Sequence, residues 1–243
     1  MNLIVLPSVD STNNYLQDLC NNNQVPDGTM VVSMEQTQGR GQRGNNWRSL
    51  PGDGLYASIL LLPPNFSVEK QYLLNKAIAC ATARYIESKI TEDVKIKWPN
   101  DILIQRRKIA GILIENNLRG SLISSSIVGI GINLNQLQFD LDFETPATSL
   151  RIESGKRYLP ETEAKLLFNC VWSDYQLLLN GDKEEINTNY REHLFGLGSI
   201  SSFKNTNESF KGSLLDVNDE GAAILEVDGK VIQVKHPNTR IVV

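Results

Sequence analysis

Five short stretches of the chain carry residues whose types and spacing could do chemistry. The densest is E-Q-T-Q-G-R-G-Q-R-G-N-N-W at 35–47, which sets Gly39, Gly41 and Gly44 among Arg40 and Arg43 with no apolar periodicity. Glycine at that density lets a backbone approach a ligand and turn its N–H groups toward it. Arginine beside those groups adds forked, always-charged donors suited to phosphate or carboxylate. K-W-P-N-D at 97–101 gathers Lys97, Asn100 and Asp101 around a proline corner, and K-I-A-G-I-L-I-E at 108–115 puts Lys108 ahead of Gly111 in a β-rich apolar run. S-T-N at 11–13 offers hydroxyls, an amide and the free N–H groups of a helix start. G-I-G-I-N at 129–133 carries Asn133 behind two glycines that weaken a strand unless something needs backbone room there. Taken singly, these are also what a basic surface loop, a helix cap or a solvated lysine looks like.

The elements that must position them follow from periodicity. Asn2 to Leu6 reads as a strand stopped by Pro7, and Tyr15, Leu16 and Leu19 have helical spacing behind the capping residues Ser11, Thr12 and Asn13. Thr29 to Glu35 is a strand delivering the chain into the glycine-arginine loop, and Gly54 to Leu62 is a buried strand ended by Pro63-Pro64. Ser67 to Ile90 is the longest helical pattern, and its alanines suggest close packing on a sheet. Two short strands flank the corner at Trp98-Pro99, where proline fixes its own φ and pushes Trp98 to extended geometry. Lys108 to Glu115 and Ser121 to Leu134 are strands joined by a hairpin at N-N-L-R-G, 139–158 is irregular, and 162–179 and 183–194 are helical. After Gly198 the character changes to four or five short strands, with Asp228-Gly229 as a two-residue hairpin signal. These patterns divide the chain into a mixed α/β domain, 1–196, and a small β-module, 197–243.

A chain of 243 residues with 41% hydrophobic and 21% charged residues is ordinary for a soluble globular protein. A net charge of −4 gives no reason to expect a coat for DNA or an anionic membrane, although clustered arginines leave room for a local anionic ligand. Cys20, Cys80 and Cys170 are far apart, have no metal-type spacing and read as reduced core residues. No leader-like start or long apolar run is seen, so a cytoplasmic protein is expected.

In this order and spacing, the five stretches resemble the biotin protein ligase family, whose members show S-T-N, a G-R-G-R-R-G loop, K-W-P-N-D and K-x-G-G-I-L-x-E. The resemblance covers about 1–240. It implies an α+β fold: a mixed-sheet, class II synthetase-like catalytic domain followed by a small C-terminal β-barrel of the Src-homology-3 type. It further implies activation of biotin by ATP to biotinyl-5′-AMP, then transfer to a lysine of a biotin carrier domain in biotin-dependent carboxylases. Carried over position by position, it puts Ser11, Thr12, Asn13, Gln36, Gly39, Arg40, Gly41, Gln42, Lys108 and Gly111 around biotin. Arg43, Trp47, Lys97, Asn100, Asp101 and Asn133 face ATP. Lys108 and Arg40 are the catalytic cations, supplying fixed positive charge where two anions must meet. Mg²⁺ is implied with the triphosphate; its ligands are not assigned, and Asp101 is the first carboxylate to test.

The chain departs from the pattern at Gln42 and Asn45, where basic residues are common, and at Ala110, where glycine is frequent. Only ten residues precede Ser11, too few for a helix-turn-helix, so a ligase without DNA binding is expected. A lipoate or octanoate ligase or transferase of similar fold, and a non-catalytic biotin-binding module, are the rival readings. Family members differ in dimerisation, and the edge strands do not decide between a monomer and a homodimer.

Overall fold

Strand β3 (Gly54–Leu61) is buried at every residue, as a strand covered on both faces must be. The computed structural model containing it describes residues 1–48, 50–139 and 145–243, with the side chain of Arg43 also outside the description. Around β3 lie β1 (Asn2–Leu6), β2 (Thr29–Ser33), β4 (Phe66–Ser67), β5 (Val94–Lys97), β6 (Asp101–Ile104), β7 (Arg107–Arg119) and β8 (Leu122–Asn133). They form one sheet in the order β1-β2-β3-β8-β7-β6-β5, with β4 on β8. β1 and β2 are parallel, joined through helix α1 (Thr12–Asn22), and the other pairs are antiparallel, so the sheet is mixed.

The two faces of this sheet are treated differently. Ala57, Ile59, Ile112, Ile130 and Ile132 point to one side and share a continuous core with helices α2 (Gln71–Glu87), α4 (Pro160–Asn180) and α5 (Lys183–His193). On the other side, Val31, Leu60 and Ile127 meet Leu16 of α1 in a small separate core, with Tyr15, Leu19 and Cys20 of the same helix partly buried against it. α1 is eleven residues long, so much of this second face has no helix over it. The polar and glycine residues of the motifs lie there.

Several elements differ from the expectation of periodicity. α2 begins at Gln71, because Ser67 instead caps a short 3₁₀ turn at Val68–Lys70 by accepting from the Glu69 N–H. It is buried all round, between sheet and helices, rather than on one face. The irregular stretch 139–158 contains α3 (Leu150–Ser154), capped by the Ser149 hydroxyl and ended by left-handed Gly155; five residues are too few to show a period. The 107–133 hairpin turns at Gly120, with Asn116 to Arg119 still in β7. Cys80 is buried, but Cys20 and Cys170 are partly exposed rather than core.

Residues beyond 199 form a second, antiparallel sheet of β9 (Ile200–Asn205), β10 (Ser209–Val217), β11 (Ala223–Val227), β12 (Lys230–Val234) and β13 (Thr239–Val242), in the order β12-β11-β10-β9-β13. This is the small Src-homology-3-type module; Asp228-Gly229 turns β11 into β12 as its sequence demands. It docks on the Trp98 corner. The Trp98 indole is 2% exposed, donates from Nε1 to the Gly221 carbonyl at 3.0 Å and meets the His236 ring edge-on at 5.9 Å. Lys76, buried beside Tyr72 and Tyr190, donates to the Val217 carbonyl at 2.7 Å and to Asn187 at 2.9 Å. Truncating so buried an indole costs about 3–5 kcal/mol. Trp98→Ala is therefore expected to lower stability by that order and to release hydrogen-exchange protection in β9–β13 ahead of the large sheet; uniform loss across both sheets would contradict this docking role.

Candidate active site

β7 and β8 are in a register that places Gly111 directly opposite Gly131, with Leu113 opposite Gly129. Gly131 in turn faces Tyr56 and Gly129 faces Ser58 on β3. Side chains alternate along a strand, so all of these share one face, the one α1 leaves open. The result is a floor that lacks Cβ atoms at Gly111, Gly129 and Gly131. Trp47 lies on it: a Cβ at Gly111 would come within 2.8 Å of Trp47 Cζ3, and one at Gly131 within 2.6 Å of Trp47 Cε2. The loop can bring the indole there because it folds back as a hairpin, with Trp47 N–H bonded to the Gly39 carbonyl at 2.8 Å and Gly41 N–H to the Asn45 carbonyl at 2.7 Å. Gly39 is required, since a Cβ would strike the Trp47 carbonyl oxygen at 2.4 Å.

Lys108 reaches this face only through an irregularity. Asp101 pairs with Gly111 and Ile102 with Ala110, but Leu103 pairs with Lys108, so Ile109 is an extra residue. Three residues apart in an unbroken strand, Lys108 and Gly111 would point to opposite faces. The bulge sends Ile109 into the helix-side core and re-aims Lys108 onto the glycine floor. Its Nζ is 2.6 Å from Asp101 Oδ1 and 5.3 Å from the Trp47 ring centre.

A chain of polar contacts runs beneath the loop. Gln36 Oε1 accepts from the Thr12 N–H at 2.9 Å, and the Ser58 hydroxyl is 2.7 Å from Thr12 Oγ1 and 2.5 Å from Asn13 Oδ1. Asn13 Nδ2 donates to Glu115 Oε2 at 2.7 Å, and Arg40 Nη2 donates to the same oxygen at 2.7 Å. Gln36 and Arg40, four residues apart in the loop, are thus tied together through α1, β3 and β7. Ser11 occupies the N-cap of α1, yet its hydroxyl makes no capping bond and the residue lines the cleft.

Two cavities meet here. The smaller, about 240 Å³, is lined by Ser11, Thr12, Asn13, Gln36, Arg40, Gly41, Gln42, Lys97, Asn100 and Gly111 among others. The larger, about 940 Å³, is lined by Gly39, Asn133, Leu50, Gln136, Phe139 and Ala147 among others. Trp47, Asp101, Lys108, Gln36 and Thr145 border both. Every expected site residue with a described side chain lies on one or both, and Arg43's side chain is outside the description. Lys97 and Asn100, expected toward ATP, are on the smaller cavity. Asn100 donates its Nδ2 to the Ile112 carbonyl at 2.8 Å, and Asn133 donates its own to the Thr148 carbonyl at 2.9 Å. Both amides therefore hold backbone in place.

Periodicity gave no warning of Ser58, Glu115, Gln136, His236 or Arg240. Ser58 is one hydroxyl in a buried strand, and Glu115 ended a motif without an assigned partner. His236 and Arg240 come from the small module and line the smaller cavity over two hundred residues from Ser11, a separation no local pattern reveals. Among the described residues no group of three His, Cys, Asp or Glu could hold a metal ion, and Asp101 is engaged by Lys108 at 2.6 Å and Lys97 at 3.9 Å. No described helix is long and apolar enough to cross a membrane.

A glycine-bare floor, flanking amides and the cations Arg40 and Lys108 on one face of a mixed sheet mark the binding face of an α+β domain. The chain belongs to the biotin/lipoate A/B protein ligase family, whose model matches residues 5–133. It is 34% identical over 226 residues to the bifunctional ligase/repressor BirA of Bacillus spizizenii, covering 92% of this chain and 69% of that one. A Mycobacterium tuberculosis biotin–[acetyl-CoA-carboxylase] ligase is 26% identical over 86% of this chain and 77% of its own length. The structure resembles Aquifex aeolicus biotin protein ligase in complex with biotin and ATP, with a TM-score of 0.82, 27% identity and coverage of 99% of this chain and 98% of that one.

Gly111→Val tests the floor. The new side chain would start 2.8 Å from Trp47 and 3.4 Å from Lys108 Nζ, displacing both. Biotin affinity, measured by calorimetry, is expected to fall about tenfold or more, as for a filled ligand contact, with thermal unfolding little changed; unaltered affinity would show that the floor is not used.

Proposed function

We propose that the chain is a biotin protein ligase: it joins biotin to ATP as biotinyl-5′-AMP and passes the biotinyl group to a lysine of a biotin carrier domain. The observation that carries this reading is Lys108 on the border of two cavities, one small and amide-lined, the other larger and partly apolar. Biotin fits the first, against Ser11, Thr12, Asn13, Gln36, Arg40, Gly41, Gln42 and Gly111. ATP fits the second, with Trp47 between them and Asn133 on its wall; Lys97 and Asn100, on the smaller cavity, and Arg43 are assigned to ATP by the family resemblance. The units responsible are taken as 1–196 and 197–243, because the two sheets share no strand.

In the first step an oxygen of biotin's carboxylate forms a bond to the α-phosphorus, and the bond to the bridging oxygen breaks, releasing pyrophosphate. Two anions approach, so the barrier is largely electrostatic, and cations fixed at the meeting point lower it. Lys108 and Arg40 supply this charge. Each is matched by a carboxylate of the protein, Lys108 by Asp101 and Arg40 by Glu115. The Arg40–Glu115 pair is substantially exposed, at 41% and 37%, and such pairs contribute only about 0–1 kcal/mol. An incoming carboxylate or phosphate can therefore draw Arg40 away at small cost. Mg²⁺ would accompany the triphosphate and neutralise part of its charge; Asp101, which borders both cavities, would be the carboxylate to hold it.

In the second step the neutral carrier amine attacks the anhydride carbonyl and AMP leaves. Water would hydrolyse the same bond, and the hairpin of 39–47 with Trp47 on its end covers it. The carrier domain belongs to a biotin-dependent carboxylase, such as acetyl-CoA carboxylase, and the reaction takes place in the cytoplasm.

Incubation with MgATP, labelled biotin and a carrier domain is expected to label one carrier lysine, and pyrophosphate exchange should depend on biotin but not on lipoate or octanoate. Lys108→Ala should slow adenylate formation by about a hundredfold or more, the size of a lost transition-state donor. A variant within a few-fold of wild type would remove Lys108 from this role.

A further inference from the structure

Thr145 stands where the two cavities meet and lines both of them. Its place is set by Lys108 itself. The segment that follows Thr145 runs parallel to the start of β7 and pairs with it at the bulge. There the Lys108 N–H donates to the Pro146 carbonyl at 2.7 Å, and the Thr148 N–H donates to the Lys108 carbonyl at 2.9 Å. From β8, Asn133 Nδ2 holds the Thr148 carbonyl at 2.9 Å. Glu153 of α3 accepts from the Thr148 hydroxyl and pairs with Arg107 at 3.0 Å. The backbone that carries Thr145 is therefore tied to the same bulge that aims Lys108.

The Thr145 hydroxyl accepts from Lys97 Nζ at 3.0 Å. Lys97 ends β5, and its ammonium stands 3.9 Å from Asp101 Oδ2, while Lys108 Nζ takes Asp101 Oδ1 at 2.6 Å. Hydroxyl, ammonium, carboxylate and second ammonium thus form one chain of contacts, and all four residues line the smaller cavity. A lysine is a compact charge on a flexible four-carbon stem, so holding it in one geometry costs rotamer entropy. A hydroxyl oxygen can hold an ammonium without cancelling its charge, which a carboxylate in the same place would do. Fixed geometry with the charge preserved is what electrostatic stabilisation of a transition state requires.

We infer that Thr145 is a positioning residue for ligation that acts through Lys97: its hydroxyl fixes the Lys97 ammonium near the border of the cavities, so that Lys97 adds positive charge beside Lys108 where the acid ends of the two ligands meet. This rests on the ligase reading proposed above. Thr145 takes no part in bond making. Of the two branches at its Cβ, the oxygen carries the role and the methyl does not.

Biotin-dependent pyrophosphate exchange is followed in wild type, in Thr145→Val and Thr145→Ser, and with Thr145→Val placed on Lys97→Met. Valine keeps the branched shape and loses the oxygen; serine keeps the oxygen and loses the methyl. Thr145→Val is expected to lower kcat about tenfold or more, the size of a lost hydrogen bond to a charged group, with the KM for biotin within about twofold of wild type. Thr145→Ser should stay within about threefold of wild type, whereas a side chain that only shaped the backbone would tolerate valine and suffer from serine. On Lys97→Met, adding Thr145→Val should change the rate by no more than about twofold, because the group it holds is gone. If the valine variant unfolds at a lower temperature than wild type, Thr145→Ala takes its place in both comparisons. A wild-type kcat without the hydroxyl, a serine variant as slow as the valine one, or the same fall on Lys97→Met as on wild type overturns the inference. Wild-type protein that exchanges no pyrophosphate in the presence of biotin brings down the ligase reading, and this inference with it.

Discussion

Two glycines held opposite each other across β7 and β8 are the constraint on which the site depends. Gly111 and Gly131 leave a stretch of sheet with no side chains above it, on the one face that α1 is too short to cover. Only a bare backbone surface admits the Trp47 ring at the distances observed, and the ring in turn divides the open space into two cavities. A one-residue slip of this register would turn the glycines into the helix-side core and bring isoleucines to the floor. The long alternation of Ile112, Ile114, Ile130 and Ile132 against the helices fixes the register from the other side, so the large core specifies the site by anchoring its reverse face.

Charge is arranged with the same restraint. Lys108 and Arg40 each have a carboxylate of the protein as partner, and neither is left as an isolated charge beside an apolar cavity. Glu115 does more than balance Arg40, because the same oxygen orients the Asn13 amide. The Ser58 hydroxyl has one proton and two oxygen neighbours, so it donates to one and accepts at the other, passing a fixed polarity along the chain from α1 to the loop. Loop position and binding-face geometry are therefore coupled through this chain of contacts.

The small C-terminal module belongs to this arrangement. The corner that carries Lys97 and Asp101 also carries Trp98, and the Trp98 indole is the peg on which the module hangs. His236 and Arg240 consequently arrive at the rim of the smaller cavity. Placement of this corner and docking of the module are one packing problem, shared by the buried side chains of Trp98 and Lys76.

The sequence by itself determined the parts. Glycine–arginine density, the S-T-N cap, the proline corner and the Asp228-Gly229 turn are local, since each depends on residues a few positions apart whose backbone preferences do not wait for the rest of the chain. From these, and the family resemblance they carry, the fold class, the change of character near residue 198 and the S-T-N, glycine–arginine, K-W-P-N-D and Lys108 walls of the cleft were legible, while the walls around Leu50, Gln136, Phe139, Thr145, His236 and Arg240 were not. Tertiary structure alone decided which of them face each other. The alternation rule puts Lys108 and Gly111 on opposite faces, and only the bulge at Ile109, imposed by pairing with β6, brings them together. Ser58, Glu115 and Gln136 look ordinary in the chain because their roles consist of contacts to strands and helices far from them in sequence. Periodicity reports which way a side chain points within its own element; what it meets there is set by register and packing between elements.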